Sequence, residues 1–209
     1  MQPDIRAHIE KHLGAIHQVF NEWADEVAPI SVNHVAPSDV RPVHTLVTSG
    51  MSARALPGEM RSDAPRFLEL MITLPREWQL DPKSYKLEEW FWPLRLLHML
   101  AQWPQLTGSP LTWGQRIANG APPQPYASTT KLCAALIVPS LLVPTEFYEL
   151  KTDAKTVTFF AVVPLYKEEL EFGERAGTQA LLERIVDRDV NDVVDPKRKN
   201  VARKRFGLF

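Results

Sequence analysis

The sequence predicts one compact domain that combines strands and helices, and three observations support this prediction. The chain has 209 residues, a length typical of a single domain. Its apolar content of 44% and charged content of 23% are ordinary for a globular protein. Residues 156–185 predict a strand, a turn and a helix in unbroken succession. No internal repeat or domain-sized linker interrupts the sequence, so we expect one folded body.

The N-terminal segment predicts an amphipathic helix over about residues 4–26, with Pro29 as a stop beyond it. Gly14 weakens such a helix by about 1 kcal/mol relative to alanine, which burial of the apolar stripe should outweigh. We therefore expect residues 1–30 to form an N-terminal helix packed on the domain, followed by a proline-punctuated connection up to Pro42. The stripe recurs at three- and four-residue steps and consists of Ile5, Ile9, Leu13, Ile16, Phe20 and Trp23.

Two segments of the first half predict neighbouring strands. Residues 43–50 are rich in β-branched side chains, and residues 66–75 are almost continuously apolar. Between them, Pro57, Gly58 and Pro65 mark a turn or hairpin loop. Since strands joined locally are most often antiparallel neighbours, we expect that pairing here.

An aromatic segment then predicts a helix. Pro93 is expected in its first turn, where the missing N–H is harmless, and the helix should run to about Gln102. Pro104 and Gly108 are expected to end it. Residues 112–130 are loop-like. Three tryptophans near this helix are typical of core and edge packing, although they could form a stacking surface for a sugar or peptide: Trp90, Trp92 and Trp103.

Three more strands are predicted, at residues 131–138, 147–150 and 157–165. The last is apolar and β-branched enough to be buried on both faces. Pro164 has no N–H to donate and is expected to end that strand. The helix after Gly177 should bury an apolar face formed by Ala180, Leu181 and Ile185, with Leu182 as a further candidate.

Four glutamates open the helical part that follows the last strand, where acidic groups favour the positive end of the helix dipole. Such carboxylates could be paired as acid and base, but they are typical of a solvated first turn. They are Glu168, Glu169, Glu171 and Glu174.

The histidines predict no metal site. His8 and His12 stand four apart on the first predicted helix, but HIEKH is neither HExxH nor HxxEH, so we expect both to face solvent. No third ligand is apparent in the local sequence. The remaining four are scattered along the chain, and His98 is expected to pack near its helix: His17, His34, His44 and His98.

Other catalytic and cofactor motifs are missing from the sequence. Ser49 and Ser52 flank Gly50 and Met51, but the string GMSAR lacks the second glycine of GxSxG and predicts a strand end or turn. Neither GxGxxG nor GxxxxGK[ST] occurs. The single cysteine, Cys133, excludes an internal disulfide and a multi-cysteine metal site, and its apolar neighbours predict a buried, inert thiol. We therefore predict no catalytic residue, no metal and no cofactor.

The charge is unevenly distributed. Residues 196–209 carry six basic residues and no acid, and subtracting this +6 from the net charge of −1 leaves −7 on the rest. We expect residues 196–209 to be a basic, solvated C-terminal tail after a domain at residues 31–195. The tail could bind nucleic acid, whereas the acidic body favours a basic protein partner. Without an apolar signal or a span of about 20 apolar residues, the chain is expected in the cytoplasm.

In their order along the chain, four segments resemble the suppressor of fused domain family. They cover about residues 43–190 and include a T-x-G-x-S strand end and an E-L-x-x-x-L-P strand. The quoted segments are VTSGMS, ELMITLPREW, WPLRLLHMLAQWPQLTGSPLTWGQRI and FFAVVPLYKEELEFGERAGTQALLERI. The resemblance implies an α+β fold in which helices flank a mixed sheet.

The resemblance also implies a non-enzymatic, protein-binding module. Animal members restrain a transcription factor of the Hedgehog pathway within a longer, two-part protein. Short bacterial members are linked to toxin systems as immunity proteins, and this chain has their layout. We therefore expect an immunity or antitoxin-type protein that masks a partner, possible partners being a basic toxin or nuclease.

Two residue groups are predicted to bind that partner. An exposed sheet edge could accept a strand of the partner at Phe147, Tyr148 and Glu149. Acidic residues could contact it at Glu168, Glu169 and Glu171. Three alternatives stay open: a regulator that binds a transcription factor, a hydrolase or transferase that pairs His44 or His98 with a carboxylate, and a nucleic-acid regulator acting through residues 197–205.

Overall fold

A mixed β-sheet forms the centre of the fold. The structure is a computed structural model that describes residues 3–21, 29–59 and 64–203. Within those residues, the sheet has eight strands: β1 (Ile16–Phe20), β2 (Ser31–Val35), β3 (Val43–Ser49), β4 (Phe67–Pro75), β5 (Arg116–Ala118), β6 (Leu132–Val138), β7 (Glu149–Lys151) and β8 (Thr156–Tyr166). The helices are α1 (Pro3–His12), α2 (Glu88–Thr107), α3 (Lys167–Ala176) and α4 (Thr178–Val186). Single 3₁₀ turns lie at Met51–Ala53, Ser84–Lys86 and Thr145–Phe147.

The strand order is β1-β2-β3-β4-β8-β6-β5, with β7 paired to the beginning of β8. β1 to β4 form an antiparallel meander, which confirms the pairing predicted for residues 43–50 and 66–75. β4 and β8 are parallel, whereas β6 and β7 run antiparallel to β8. The sheet is therefore mixed, as the α+β prediction requires.

Successive side chains of the central strands point to opposite faces of the sheet, so the hydrophobic core has one part on each face. In β4, Leu68 and Leu70 pack on the side of α2, whereas Met71 packs on the side of α1, α3 and α4. β8 does the same with Phe160 and Phe159. Successive strand side chains point to opposite faces, so these strands are apolar at nearly every position. The prediction that residues 157–165 are buried on both faces is confirmed.

The long N-terminal helix predicted over residues 4–26 is wrong beyond His12. Gly14 has φ +118°, a conformation that favours glycine, and the chain then enters β1. Ile16 and Phe20 fit a helical period of four, but their backbone groups pair with β2 instead. β2 lies inside the segment predicted as a connection, so that prediction is wrong as well. Trp23 lies outside the described residues.

α2 begins at Glu88, more than a turn earlier than expected. Pro93 is its sixth residue rather than a member of the first turn, and Pro104 lies inside the helix too. The helix ends at Thr107, five residues beyond the end predicted near Gln102, and Gly108 then adopts the left-handed conformation. Trp92 is fully buried, and Trp90 and Trp103 pack against the same core, which confirms their structural role. Among the described residues, no helix is both long and apolar enough to cross a bilayer.

Pro164 does not end β8, which continues to Tyr166 and pairs Pro164 with Ala135 of β6. The Pro164 carbonyl accepts a hydrogen bond from Arg198 Nη2 at 2.8 Å. N–H and C=O of one strand residue point to the same side, so the missing N–H lies on the side occupied by Arg198. The proline therefore costs the strand no bond to β6, which is why the expected stop is wrong.

A buried carboxylate fixes the turn after β3. Glu69 of β4 is fully buried, and its oxygens accept hydrogen bonds from Thr48 Oγ1 at 2.6 Å, Gly50 N at 3.1 Å, Ser52 N at 3.0 Å and Ser52 Oγ at 2.7 Å. Burial raises the pKa of Glu69, and these hydrogen bonds oppose the rise. The residues of the T-x-G-x-S and E-L-x-x-x-L-P segments are thus a structural unit, and the predicted turn at Ser49 and Ser52 is confirmed.

Gly50 is the position where that turn tolerates no side chain. Its φ is +123°, and a Cβ would lie 2.3 Å from the carbonyl oxygen of Pro29. We expect Gly50→Ala to lower the free energy of unfolding by about 3 kcal/mol, from backbone strain and overpacking together. Gly108→Ala is the matched control, because Gly108 also has positive φ but no atom within 4 Å of the added Cβ. It should lose about 1 kcal/mol in the same denaturant titration. Equal losses would contradict the steric argument.

Candidate protein-binding surface

β7 is a short strand with an open edge. It pairs with β8 through Glu149↔Thr158, Leu150↔Val157 and Lys151↔Thr156, and no other described strand pairs with it. The strand predicted at residues 147–150 therefore exists, but it is shifted toward the C-terminus and has three residues. Phe147 belongs to the 3₁₀ turn that precedes it.

The hydrogen-bond pattern shows which backbone groups the open edge exposes. On either side of β7, Phe159 N donates to Tyr148 O and Thr152 N donates to Lys155 O. The even-numbered residues of this segment, including Leu150, therefore direct their backbone groups toward β8. Antiparallel ladders alternate, and Glu149 and Lys151 therefore direct their N–H and C=O groups away from β8. Both residues are exposed, and their side chains form a surface ion pair at 3.4 Å.

Two of the three edge residues predicted to touch a partner have other roles. Phe147 is fully buried, and its ring packs against those of His8, at 5.0 Å, and Phe159, at 4.7 Å. Tyr148 is half-buried, and its hydroxyl donates to Ser140 O at 2.6 Å. Only Glu149 offers its side chain to solvent. His8 is buried against these aromatic rings, so the expectation that it faces solvent is wrong.

The three acidic residues of α3 differ in the same way. Glu171 is exposed and lies 3.8 Å from Lys167. Glu168 accepts hydrogen bonds from Asn200 Nδ2 at 2.8 Å and Arg203 Nη2 at 3.1 Å. Glu169 is fully buried, so the interpretation of these glutamates as a solvated first turn is wrong for this residue.

Glu169 holds the C-terminal segment in the fold. Its oxygens accept hydrogen bonds from Arg198 at 2.5 and 2.6 Å, from Tyr166 N at 2.9 Å and from Val201 N at 2.8 Å. Val201 is buried in the core beside α3 and α4. The expected solvated tail is therefore wrong for residues 196–203, which pack on the domain.

The two predicted partner-binding groups lie at opposite ends of β8. β7 pairs with Thr156 to Thr158 at the start of that strand, whereas α3 follows Tyr166 at its end. At about 3.3 Å per residue, eight residues of strand separate them by roughly 26 Å. The structure therefore does not bring the two groups into one site.

Three histidines that are far apart in the sequence, His17, His34 and His44, lie together on the first three strands. His17 of β1 contacts His34 of β2 with ring centroids 5.5 Å apart, and His34 Nε2 lies 2.8 Å from His44 Nδ1 of β3. His44 Nε2 lies 3.1 Å from the carbonyl oxygen of Arg76. Neither β1 nor β2 was predicted from the sequence, so the three could not be placed on neighbouring strands.

The hydrogen-bond chain assigns the protons of this cluster. The Arg76 carbonyl can only accept, so His44 donates from Nε2 and accepts at Nδ1, and His34 donates to it from Nε2. His34 Nδ1 is buried without a partner. Burial lowers the pKa of His34 to about 4, helped by the neighbouring histidines, and burial also lowers the pKa of His44. The environment of the cluster therefore favours the neutral form of the His34 and His44 rings.

The contacts of His44 differ from the carboxylate pairing that the hydrolase alternative expects. The direct partners of His44 are another histidine and a backbone carbonyl, and His98 lies half-buried in α2. Within residues 3–21, 29–59 and 64–203, no group of three or more His, Cys, Asp or Glu residues could hold a metal ion. Cys133 is buried, as predicted, and burial raises the pKa of its thiol.

These features define a class of protein: an α+β domain in which the polar residues of the sequence motifs hydrogen-bond each other within the fold. The chain belongs to the suppressor of fused protein (SUFU) family, whose model matches residues 26–199. No curated protein matches the chain in sequence.

Solved structures of the family share the fold. A suppressor of fused homologue from Neisseria gonorrhoeae FA 1090 superposes with a TM-score of 0.69 and 18% identity, over 96% of each chain. A chain of the Sufu–Fu complex gives 0.66 and 16%, over 95% of this chain and 89% of that one. Drosophila Suppressor of Fused gives 0.55 and 20%, over 82% of this chain and 42% of that one. At these identities the similarity shows the fold alone.

The buried ion pair can be separated from its exposed neighbour by mutation. Arg198→Met leaves the Glu169 carboxylate buried without its cation, and we expect the free energy of unfolding to fall by about 3–5 kcal/mol. Arg203→Met is the matched control, since it removes the exposed partner of Glu168 and should cost less than about 1 kcal/mol. Denaturant titrations measure both values. Similar losses would show that the C-terminal segment does not depend on Glu169.

The histidine cluster predicts a loss of stability in acid. The folded-state pKa of His34 lies below its unfolded value, so the unfolded chain binds more protons as the pH falls from 6.5 toward 4. This shift contributes on the order of 3 kcal/mol of stability above pH 6.5, which is lost over that range. His34→Gln keeps a donor to His44 and should flatten the profile of unfolding free energy against pH. His12→Gln is the control, and equal profiles for the two variants would refute the assignment.

Proposed function

We propose that this chain is a non-enzymatic protein-binding module that masks a surface of a partner protein. Family membership supports the proposal, as does the fold shared with a chain of the Sufu–Fu complex. The observation that carries it is the open edge of β7, where backbone donors and acceptors face outward beside exposed side chains. An extended segment of a partner could pair with this edge by strand addition.

We further propose that the partner is a basic toxin or nuclease, and that the chain acts as an immunity or antitoxin-type protein. Residues 1–195 carry a net charge of −7, which the four cations of residues 196–203 reduce to −3. Long-range electrostatic attraction would accelerate association with a basic partner. Main-chain hydrogen bonds at β7 would then fix the position of the partner's strand along the edge. A transcription factor bound in the same way would use the same edge, so the identity of the captured protein decides between the two roles.

The outward N–H of Lys151 permits a direct test. Lys151→Pro removes that donor without removing an inward bond to β8, because proline is tolerated on a free strand edge. Lys151→Ala loses the same charge but keeps the N–H. Tagged wild type and both variants are used to capture partners from the native host, and the co-purifying chains are identified by mass spectrometry.

We expect wild type and Lys151→Ala to retain one basic protein and Lys151→Pro to retain at least about tenfold less, because two or more main-chain bonds depend on that edge. Thermal unfolding checks that the proline variant is folded. Recovery of no partner by wild type at micromolar concentration would overturn the proposal. Equal recovery by all three proteins would overturn the role of β7.

A further inference from the structure

A basic pocket lies at the other end of β8, where the C-terminal segment packs on the domain. Its volume is about 370 Å³, and five of its seven lining residues are cationic, with no acid among them. The five come from three parts of the chain: Lys131 before β6, Arg188 after α4, and Arg198, Lys199 and Arg203 of the C-terminal segment.

Two of these five cations form ion pairs with other residues that the structure describes. Arg198 is paired with Glu169, and Arg203 with Glu168. Lys131, Arg188 and Lys199 are exposed, and none of them forms an ion pair or side-chain hydrogen bond with another described residue. Three cations that converge on one depression repel each other, so an anion placed between them would be favourable.

The shape and surroundings of the pocket favour a short ligand. A duplex or a long single strand would extend beyond the pocket onto a body whose net charge is −7 outside residues 196–209. The aromatic ring of the pocket, Tyr166, is buried, and its hydroxyl donates to Arg198 O at 2.6 Å, so it offers no face for base stacking. A few carboxylates on an extended peptide would meet the cations without that repulsion.

We infer that this pocket binds an acidic segment of a polypeptide, with Lys131, Arg188 and Lys199 as the residues that contact its carboxylates. The site is separate from the β7 edge, since the two lie at opposite ends of β8. Its biological use depends on the proposed protein-binding role, in which it would contact an acidic segment of the same partner while the β7 edge pairs with an extended one.

The test uses the full chain and a fluorescein-labelled oligoglutamate peptide, with binding followed by fluorescence anisotropy. A Gly-Ser peptide of equal length and an oligothymidine strand serve as comparison probes. The variant Lys131→Ala/Arg188→Ala/Lys199→Ala removes the three unpaired cations. The matched control, Lys11→Ala/Arg54→Ala/Lys83→Ala, removes three exposed cations elsewhere and changes the net charge equally. Thermal unfolding verifies that both triple variants remain folded.

We expect wild type and the control to bind oligoglutamate, and the pocket variant to bind it about tenfold or more weakly, since each exposed charge contributes modestly. Higher salt should weaken binding of wild type and control. The inference is overturned if oligoglutamate does not bind to wild type, or if both triple variants lose the same amount of affinity for it. It is also overturned if wild type binds oligothymidine more tightly than oligoglutamate. A partner captured by the wild type alongside any of these results would leave the proposed function standing and remove this inference alone.

Discussion

The fold depends on hydrogen bonds and ion pairs to carboxylates that are buried in or beside its sheet. Glu69 stands in the middle of β4 with no exposed surface, and an unpaired carboxylate there would destabilise the native state by several kcal/mol. Four donors from residues 48–52 surround it, so the chain after β3 must turn in one particular way. Gly50 is needed because the turn passes against Pro29. This contact therefore ties β3, β4 and the segment before β2 together.

Buried carboxylates also hold loops and the C-terminal segment against the domain. Glu169 gathers Arg198 and two backbone N–H groups, and Asp192 accepts hydrogen bonds from Ser140 Oγ at 2.5 Å and Leu141 N at 3.3 Å. Burial raises the pKa of Asp192, and these bonds oppose the rise. Much of the polar chemistry that stands out in the sequence is therefore engaged in holding segments in place. The groups left for function are on the outside.

Those outer groups lie at two separate places along β8. At its start, β7 exposes main-chain donors and acceptors, which suits an extended polypeptide. At its end, cations without an ion-pair partner in the described part of the chain line a pocket that the C-terminal segment helps to form. A protein partner could span both, since roughly 26 Å of strand corresponds to an interface of ordinary size.

The sequence by itself determined the elements whose side-chain pattern is strong: β3, β4, β6, β8, the body of α2 and the α4 face formed by Leu181 and Ile185. Continuous apolar runs report burial on both faces, and that signal is local. Only the tertiary structure decided where Gly14 breaks the first helix, that β1 and β2 exist, and that three distant histidines meet. It also decided which glutamates are buried. Pairing across strands and contact with Arg198 depend on residues far apart in the chain, so no local pattern contains them.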